Sequence, residues 1–123
     1  LYYSIGEFSK LTGISIYTLR YYEKENLITS KRKENGRRFY DEKDLKWIEF
    51  IKRLKNTNMP IKEIKKYAVL RSLGKTTLEE RFEMLIAHRE NLKKEINSYI
   101  ENLKELDNKI DYYREEINKN INL

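Results

Sequence analysis

Apolar side chains recur at alternating four- and three-residue steps at Leu78, Phe82, Leu85, Leu92, Ile96, Tyr99, Leu103, Leu106, Ile110, Tyr113 and Ile117. Only Arg89 interrupts the series. A 3.5-residue repeat held over about five heptads describes a helix whose apolar seam lies against another helix. Thr77 and Glu80 have the spacing of a capping box, and neither Gly nor Pro follows them. At 1.5 Å per residue, a helix from Thr77 to Asn120 would span roughly 65 Å. The simplest partner for so long a seam is a second copy of the chain.

The charges beside the seam set an expected orientation. Phe82, Arg89, Ile96, Leu103, Ile110 and Ile117 take the a positions, and Leu85, Leu92, Tyr99, Leu106 and Tyr113 the d positions. Parallel pairing would oppose Lys109 to Arg114. Antiparallel pairing centred near Glu101 instead places Glu95 with Lys109, Lys93 with Asp107, and His88 with Glu116. It also lays Arg89 on the ring of Tyr113, a contact between a cation and an aromatic face. Exposed pairs are worth only about 0.2 to 1 kcal/mol each, so they choose register and direction more than they stabilise.

Before Thr77 the periodicity is short and broken by turn signals. Ser4 precedes a helix with Ile5, Phe8 and Leu11 on one face, ended by Thr12-Gly13, and Ser15 caps a second helix that runs to about Glu25. Two short helices joined by a Gly-containing turn have the helix-turn-helix pattern. Asn35-Gly36 then predicts a two-stranded hairpin with cations on both arms. Asp41 caps a third helix, Asn58 suits a left-handed end, and a fourth helix runs from about Ile61 to Ser72. Gly74 stops it.

Charge changes the picture when it is divided at the heptad boundary. Residues 1–76 carry 18 Lys and Arg against 9 Asp and Glu, a net +9, while residues 77–123 carry 8 against 11, a net −3. A basic head, 1–76, on a slightly acidic dimerising helix, 77–123, calls for a polyanion partner. With no Cys and one His, the chain offers neither a disulfide frame nor a recognisable metal-ligand cluster, and no cofactor is expected. No paired acids, activated nucleophile or phosphate-cradling Gly loop is present, so no catalytic residues are expected. No apolar run approaches the ~20 residues of a membrane span, and the expected location is the cytoplasm.

Ile5-Gly6-Glu7, Thr12-Gly13-Ile14-Ser15, Thr18-Leu19-Arg20-Tyr21-Tyr22-Glu23, Asn35-Gly36-Arg37-Arg38-Phe39-Tyr40 and Asp44-Leu45 closely resemble the amino-terminal domain of the MerR family of bacterial transcriptional regulators. The resemblance runs from about Tyr3 to Leu73. It implies a mainly α fold: a winged helix-turn-helix head with a small β-hairpin wing, followed by a long helix forming an antiparallel coiled-coil dimer. It also implies a homodimer on a pseudo-palindromic promoter operator. Such a dimer distorts the DNA so that RNA polymerase, reached indirectly through the promoter, engages both promoter elements.

Ser15, Tyr17 and Thr18 fall in the first turn of the second helix, from which side chains reach base edges in the major groove. Arg20 suits a guanine edge or a phosphate. Tyr21 and Tyr22 match family positions that hold phosphates through their hydroxyls, and Tyr22, by its spacing to Leu19, also suits the core. Arg37, Arg38 and Tyr40 match the wing, with phosphate or minor-groove contacts or a merely solvated hairpin as the alternatives. Lys62, with Lys65 and Lys66, either approaches the flanking backbone or lies on a solvated face. The dimerisation residues are the a and d positions from Phe82 to Ile117.

Three departures from the family pattern carry weight. Asn26 stands where many relatives have Gly, Pro60 replaces a polar cap, and the cysteines of metal-sensing relatives are missing. Any effector is expected to be small and to lodge where head and arm meet, unless the sequence is part of a longer one. Two other readings fit less of the pattern. One is an excisionase-like, DNA-bending accessory factor; the other is a structural coiled-coil adaptor whose basic head meets protein or membrane.

Overall fold

Ser4 begins the first helix of the computed structural model, which describes residues 1–121. Its hydroxyl accepts from the Glu7 amide, while the Glu7 carboxylate accepts from the Ser4 amide, a reciprocal capping box. Helix α1 (Ile5–Thr12) ends at Gly13, whose φ of 73° is left-handed. Helix α2 (Ile16–Lys24) is capped by Ser15, and Asn26 takes φ 61° just beyond it. Asn tolerates that region better than most residues, so the departure at position 26 preserves the turn.

The hairpin pairs β2 (Lys31–Arg32) with β3 (Arg38–Tyr40), in the register Lys31 with Phe39 and Arg32 with Arg38. At its tip the Gly36 amide donates to the Lys33 carbonyl over 2.8 Å, with Gly36 at φ 82°. The sequence pattern predicts two strands, whereas the sheet has three. Strand β1 (Tyr3–Ser4) adds to the free edge of β3, giving the order β1-β3-β2.

Helix α3 (Glu42–Asn56) starts with a second reciprocal cap, between Asp41 and Asp44, and Asn58 follows its end at φ 64°. Helix α4 (Ile61–Ser72) starts at Pro60 with no side-chain cap. Phe8, Leu19, Leu27, Tyr40, Ile48, Ile51 and Ile64 are almost fully enclosed between these elements. Each such side chain contributes about 1.5 to 3 kcal/mol relative to exposure. Trp47 also belongs to this core, and its indole donates to the Leu27 carbonyl over 2.8 Å.

A short 3₁₀ turn (Gly74–Thr77) leads into helix α5 (Leu78–Ile121). The expected Thr77–Glu80 capping box is not what starts this helix. Thr77 is buried, and its hydroxyl turns back to the carbonyls of Leu70 at 2.5 Å and Gly74 at 2.9 Å. Arg81 donates to that same hydroxyl and to the Gly74 carbonyl, which ties the first turn of α5 to the preceding loop. The chain divides into two compact units, Leu1–Met84 and Leu85–Leu123. Among the described residues α5 buries no side chain: Ile96, Tyr99, Leu103, Leu106, Ile110, Tyr113 and Ile117 are all exposed.

Candidate nucleic-acid interface

Ser15 fixes where the exposed turn of α2 begins. Its oxygen accepts from the Thr18 amide at 3.1 Å, and its hydroxyl donates to the Thr18 hydroxyl at 2.9 Å. With Leu19 fully enclosed and Tyr22 at 4% exposure turned inward, the opposite face carries Tyr17, Arg20 and Tyr21 outward. Tyr17 is 82% exposed, an unusual amount of aromatic surface to leave in water. Helical periodicity produces both results at once: the residues that bury one face of α2 define the face left available.

Arg20 opens onto a cleft of about 460 Å³ whose other walls are Ser4, Ile5, Lys33, Gly36, Arg37 and Arg38. The start of α1, the outward face of α2 and the tip of the hairpin therefore share one strongly basic hollow. Arg37 is exposed at the tip, whereas Arg38 is half-buried and donates from Nε to Glu23 Oε2 at 2.6 Å. Arg32 donates to the other Glu23 oxygen at 3.3 Å and to the Gly36 carbonyl at 2.9 Å. On the far edge Lys31 donates to Asp41 at 2.8 Å and lies 3.5 Å from Asp44. The bond from Lys31, added to that from the Asp44 amide, holds the Asp41 carboxyl at a pKa of about 2.

Two residues expected at the interface lie elsewhere. Tyr40 is fully enclosed and stacks on Phe8 with ring centroids 4.3 Å apart, and burial pushes its hydroxyl pKa up. Its side chain is part of the core, because on β3 it shares the inward face with Arg38 while Phe39 points the other way, against Tyr2. Tyr22 is likewise core, although Lys55 reaches its hydroxyl at 2.7 Å. Lys62 is exposed in the first turn of α4, and Lys65 is paired with Glu25, a contact that raises the Lys65 pKa. Ser15, Tyr17, Thr18, Arg20, Tyr21, Arg37 and Arg38 are gathered on α2 and the wing. Glu23 enters the sequence pattern only as the last residue of the Thr18–Glu23 motif, with no role of its own, and its spacing to the wing arginines carries no periodic signal. Among the described residues no cluster could hold a metal ion, and no helix is long and apolar enough to cross a membrane.

Two helices packed through a tight turn, the second exposed beside a basic hairpin, make a winged helix-turn-helix head, a class whose second helix enters the major groove of duplex DNA. The chain belongs to the MerR family: the MerR HTH family regulatory protein domain matches residues 3–69, and the MerR DNA-binding domain matches residues 45–109. It is 36% identical over 113 residues to an HTH-type transcriptional regulator of Haemophilus influenzae, covering 91% of this chain and 84% of that one. The fold is similar to that of HiNmlR, a MerR family regulator lacking the sensor domain and solved bound to promoter DNA. That match has a TM-score of 0.83 at 35% identity, over 94% of this chain and 92% of the other. A MerR family regulator from Listeria monocytogenes aligns with a TM-score of 0.86 at 38% identity, over 90% and 85% of the two chains.

Proposed function

We propose that this MerR-type transcriptional regulator binds a pseudo-palindromic operator within a promoter as a homodimer and acts by distorting the DNA. The observation that carries the reading is the shared cleft, where Arg20 of α2 and Lys33 and Arg37 of the wing present cations beside the outward turn of Ser15, Tyr17, Thr18 and Tyr21. Ser15, Tyr17 and Thr18 face base edges in the major groove. Arg20 and Tyr21 hold a phosphate or a guanine edge next to them. Arg37 and the outer edge of Arg38 follow the backbone, with Lys62 approaching it from α4.

The division of labour is residues 1–76 for DNA and residues 77–123 for pairing. Support for the pairing comes from α5, where Leu85 and Leu92 are half-buried and the other apolar a and d side chains from Phe82 to Ile117 are exposed within one chain. A second α5 running antiparallel would cover them, centred near Glu101. A rigid pair is what the mechanism requires, since bending a site of this length costs about 1 to 6 kcal/mol and flexibly joined heads would follow relaxed DNA. RNA polymerase then responds to the altered promoter without touching a catalytic group on this chain, whose role is non-enzymatic and cytoplasmic.

The test is nuclease footprinting on the DNA upstream of the protein's own gene, followed by binding to the protected duplex and to a scrambled duplex across a salt series. The protected region should contain inverted half-sites about 34 Å apart, one helical turn or a multiple of it. Affinity should fall steeply with salt on both duplexes and stay higher on the protected one. Equal affinity for the two sequences would contradict the reading.

A further inference from the structure

We propose that Glu23 is a positioning residue for DNA recognition, a strut on the reading helix that fixes the wing in register with it. The inference rests on the DNA-binding reading above and adds a specificity-determining residue that does not itself touch DNA. Glu23 lies in the last turn of α2, and its two carboxylate oxygens are used separately. Oε2 accepts from Arg38 Nε of β3 at 2.6 Å, and Oε1 accepts from Arg32 of β2 at 3.3 Å. One carboxylate thus holds both strands. Arg32 extends the grip to the tip by donating from its other nitrogen to the Gly36 carbonyl at 2.9 Å.

The wing needs such a strut. Its two strands share only the pairs Lys31 with Phe39 and Arg32 with Arg38, and so short a ribbon is not stable alone. Its remaining ties run elsewhere: β1 pairs with β3, Tyr40 of β3 stacks on Phe8 of α1, Phe39 packs on Tyr2, and Lys31 reaches Asp41 and Asp44 at the start of α3. Among the ion pairs of the described residues, those of Glu23 are the ones that connect the wing to α2. The charge argues for geometry over attraction. A carboxylate beside the arginines of a polyanion-binding cleft weakens the field that draws DNA in, so its use there is to aim Arg37 and Lys33. Arg38 and Glu23 are each only 23% exposed, which keeps their bond largely out of bulk water.

Two substitutions separate these effects. Glu23→Gln removes the charge at constant shape, and Glu23→Asp keeps the charge but withdraws it by one methylene. The 123-residue chain and both variants are titrated by fluorescence anisotropy against the footprinted promoter duplex and a scrambled duplex of equal length. Thermal unfolding is followed in parallel. Both variants should lose about tenfold or more in affinity for the promoter duplex, the effect of one charge-assisted contact. Affinity for the scrambled duplex should hold or rise in Glu23→Gln. In the free protein, the Arg38 Nε–H resonance should exchange slowly in the wild type and rapidly in both variants.

Promoter affinity that is unchanged or tighter in Glu23→Gln would overturn the proposal, as would an Arg38 Nε–H signal indifferent to either change. Equal losses on both duplexes, tracking a fall in thermal stability, would reduce Glu23 to a structural residue. A wild-type chain that cannot tell the two duplexes apart would instead sink the DNA-regulator reading, and this proposal with it.

Discussion

Asp41 serves two elements with one side chain, and that makes it titrate unusually. It caps α3 by accepting from the Asp44 amide at 3.0 Å, and Lys31 of β2 holds its other oxygen. Because the folded carboxyl has a pKa of about 2 against an ordinary 3.8, the folded state favours the ionised form. The associated stability is therefore full above the unfolded pKa and drains away as pH falls through the folded one. Unfolding temperature, followed by circular dichroism, should drop between pH 4 and pH 2. Asp41→Asn retains a capping oxygen but loses the Lys31 pair, so it should be slightly less stable at pH 7 and show a shallower acid limb. Some slope should remain in that variant, since the Ser4 amide and hydroxyl also lower the Glu7 pKa.

The tyrosines divide at the same scale. The Tyr40 hydroxyl is buried with the Ser30 hydroxyl as its polar neighbour, so Tyr40→Phe should leave promoter affinity unchanged and stability within about 1 kcal/mol. Tyr21, 43% exposed on the outward face of α2, should behave differently. Tyr21→Phe should weaken binding to the protected duplex by about 1 to 3 kcal/mol with no loss of thermal stability. Calorimetric titration of both variants checks the contrast. Period two on a strand puts Tyr40 on the face of Arg38 and opposite Phe39, a pattern that marks no inward side by itself; Tyr40 is buried because Phe8 of α1 lies against it.

At the scale of elements, caps and turns were the most legible features. Ser4, Gly13, Ser15, Asn26, Asp41 and Asn58 each sit where their backbone chemistry is needed, and such signals act over a few residues. What escaped depends on distant partners. Strand β1 is two residues long and has no period of its own; it exists because β3 offers a free edge. The Thr77 hydroxyl was diverted from its cap by the carbonyls of Leu70 and Gly74, which are brought to it by the fold of the preceding loop. The seam of α5 is legible for the opposite reason, since a heptad is a one-dimensional pattern.

Its orientation can be checked with a single thiol, because the native chain has none. In the proposed antiparallel register Asn102, one residue before the a position Leu103, meets its own copy, whereas Glu95 meets Lys109. The two copies of Glu95 then lie about 20 Å apart along the helix axis. A short bismaleimide should therefore trap a covalent dimer of Asn102→Cys and leave Glu95→Cys largely monomeric on a denaturing gel. Equal yields at the two positions would exclude the register.

For the whole molecule, DNA recognition and self-association are one problem. The excess of cations lies within residues 1–76, yet a single head offers one reading helix and one wing, too few contacts to reach the affinity of a two-fold site. In the proposed dimer the a and d residues of α5, most of them exposed in the single chain, bring in the second head. The fold was legible because capping, turn and heptad signals agree, and the family because the motifs between Ile5 and Leu45 resemble its amino-terminal domain. The bracing by Glu23 was not, because it joins residues 9 and 15 positions apart through side chains.

The measurement that bears most directly on this account is multi-angle light scattering of the chain, alone and with the footprinted duplex, at micromolar concentration. The account predicts a free particle of twice the 15.1 kDa chain mass and a complex of two chains on one duplex. A free monomer that binds the same duplex one to one, at undiminished affinity, would contradict it.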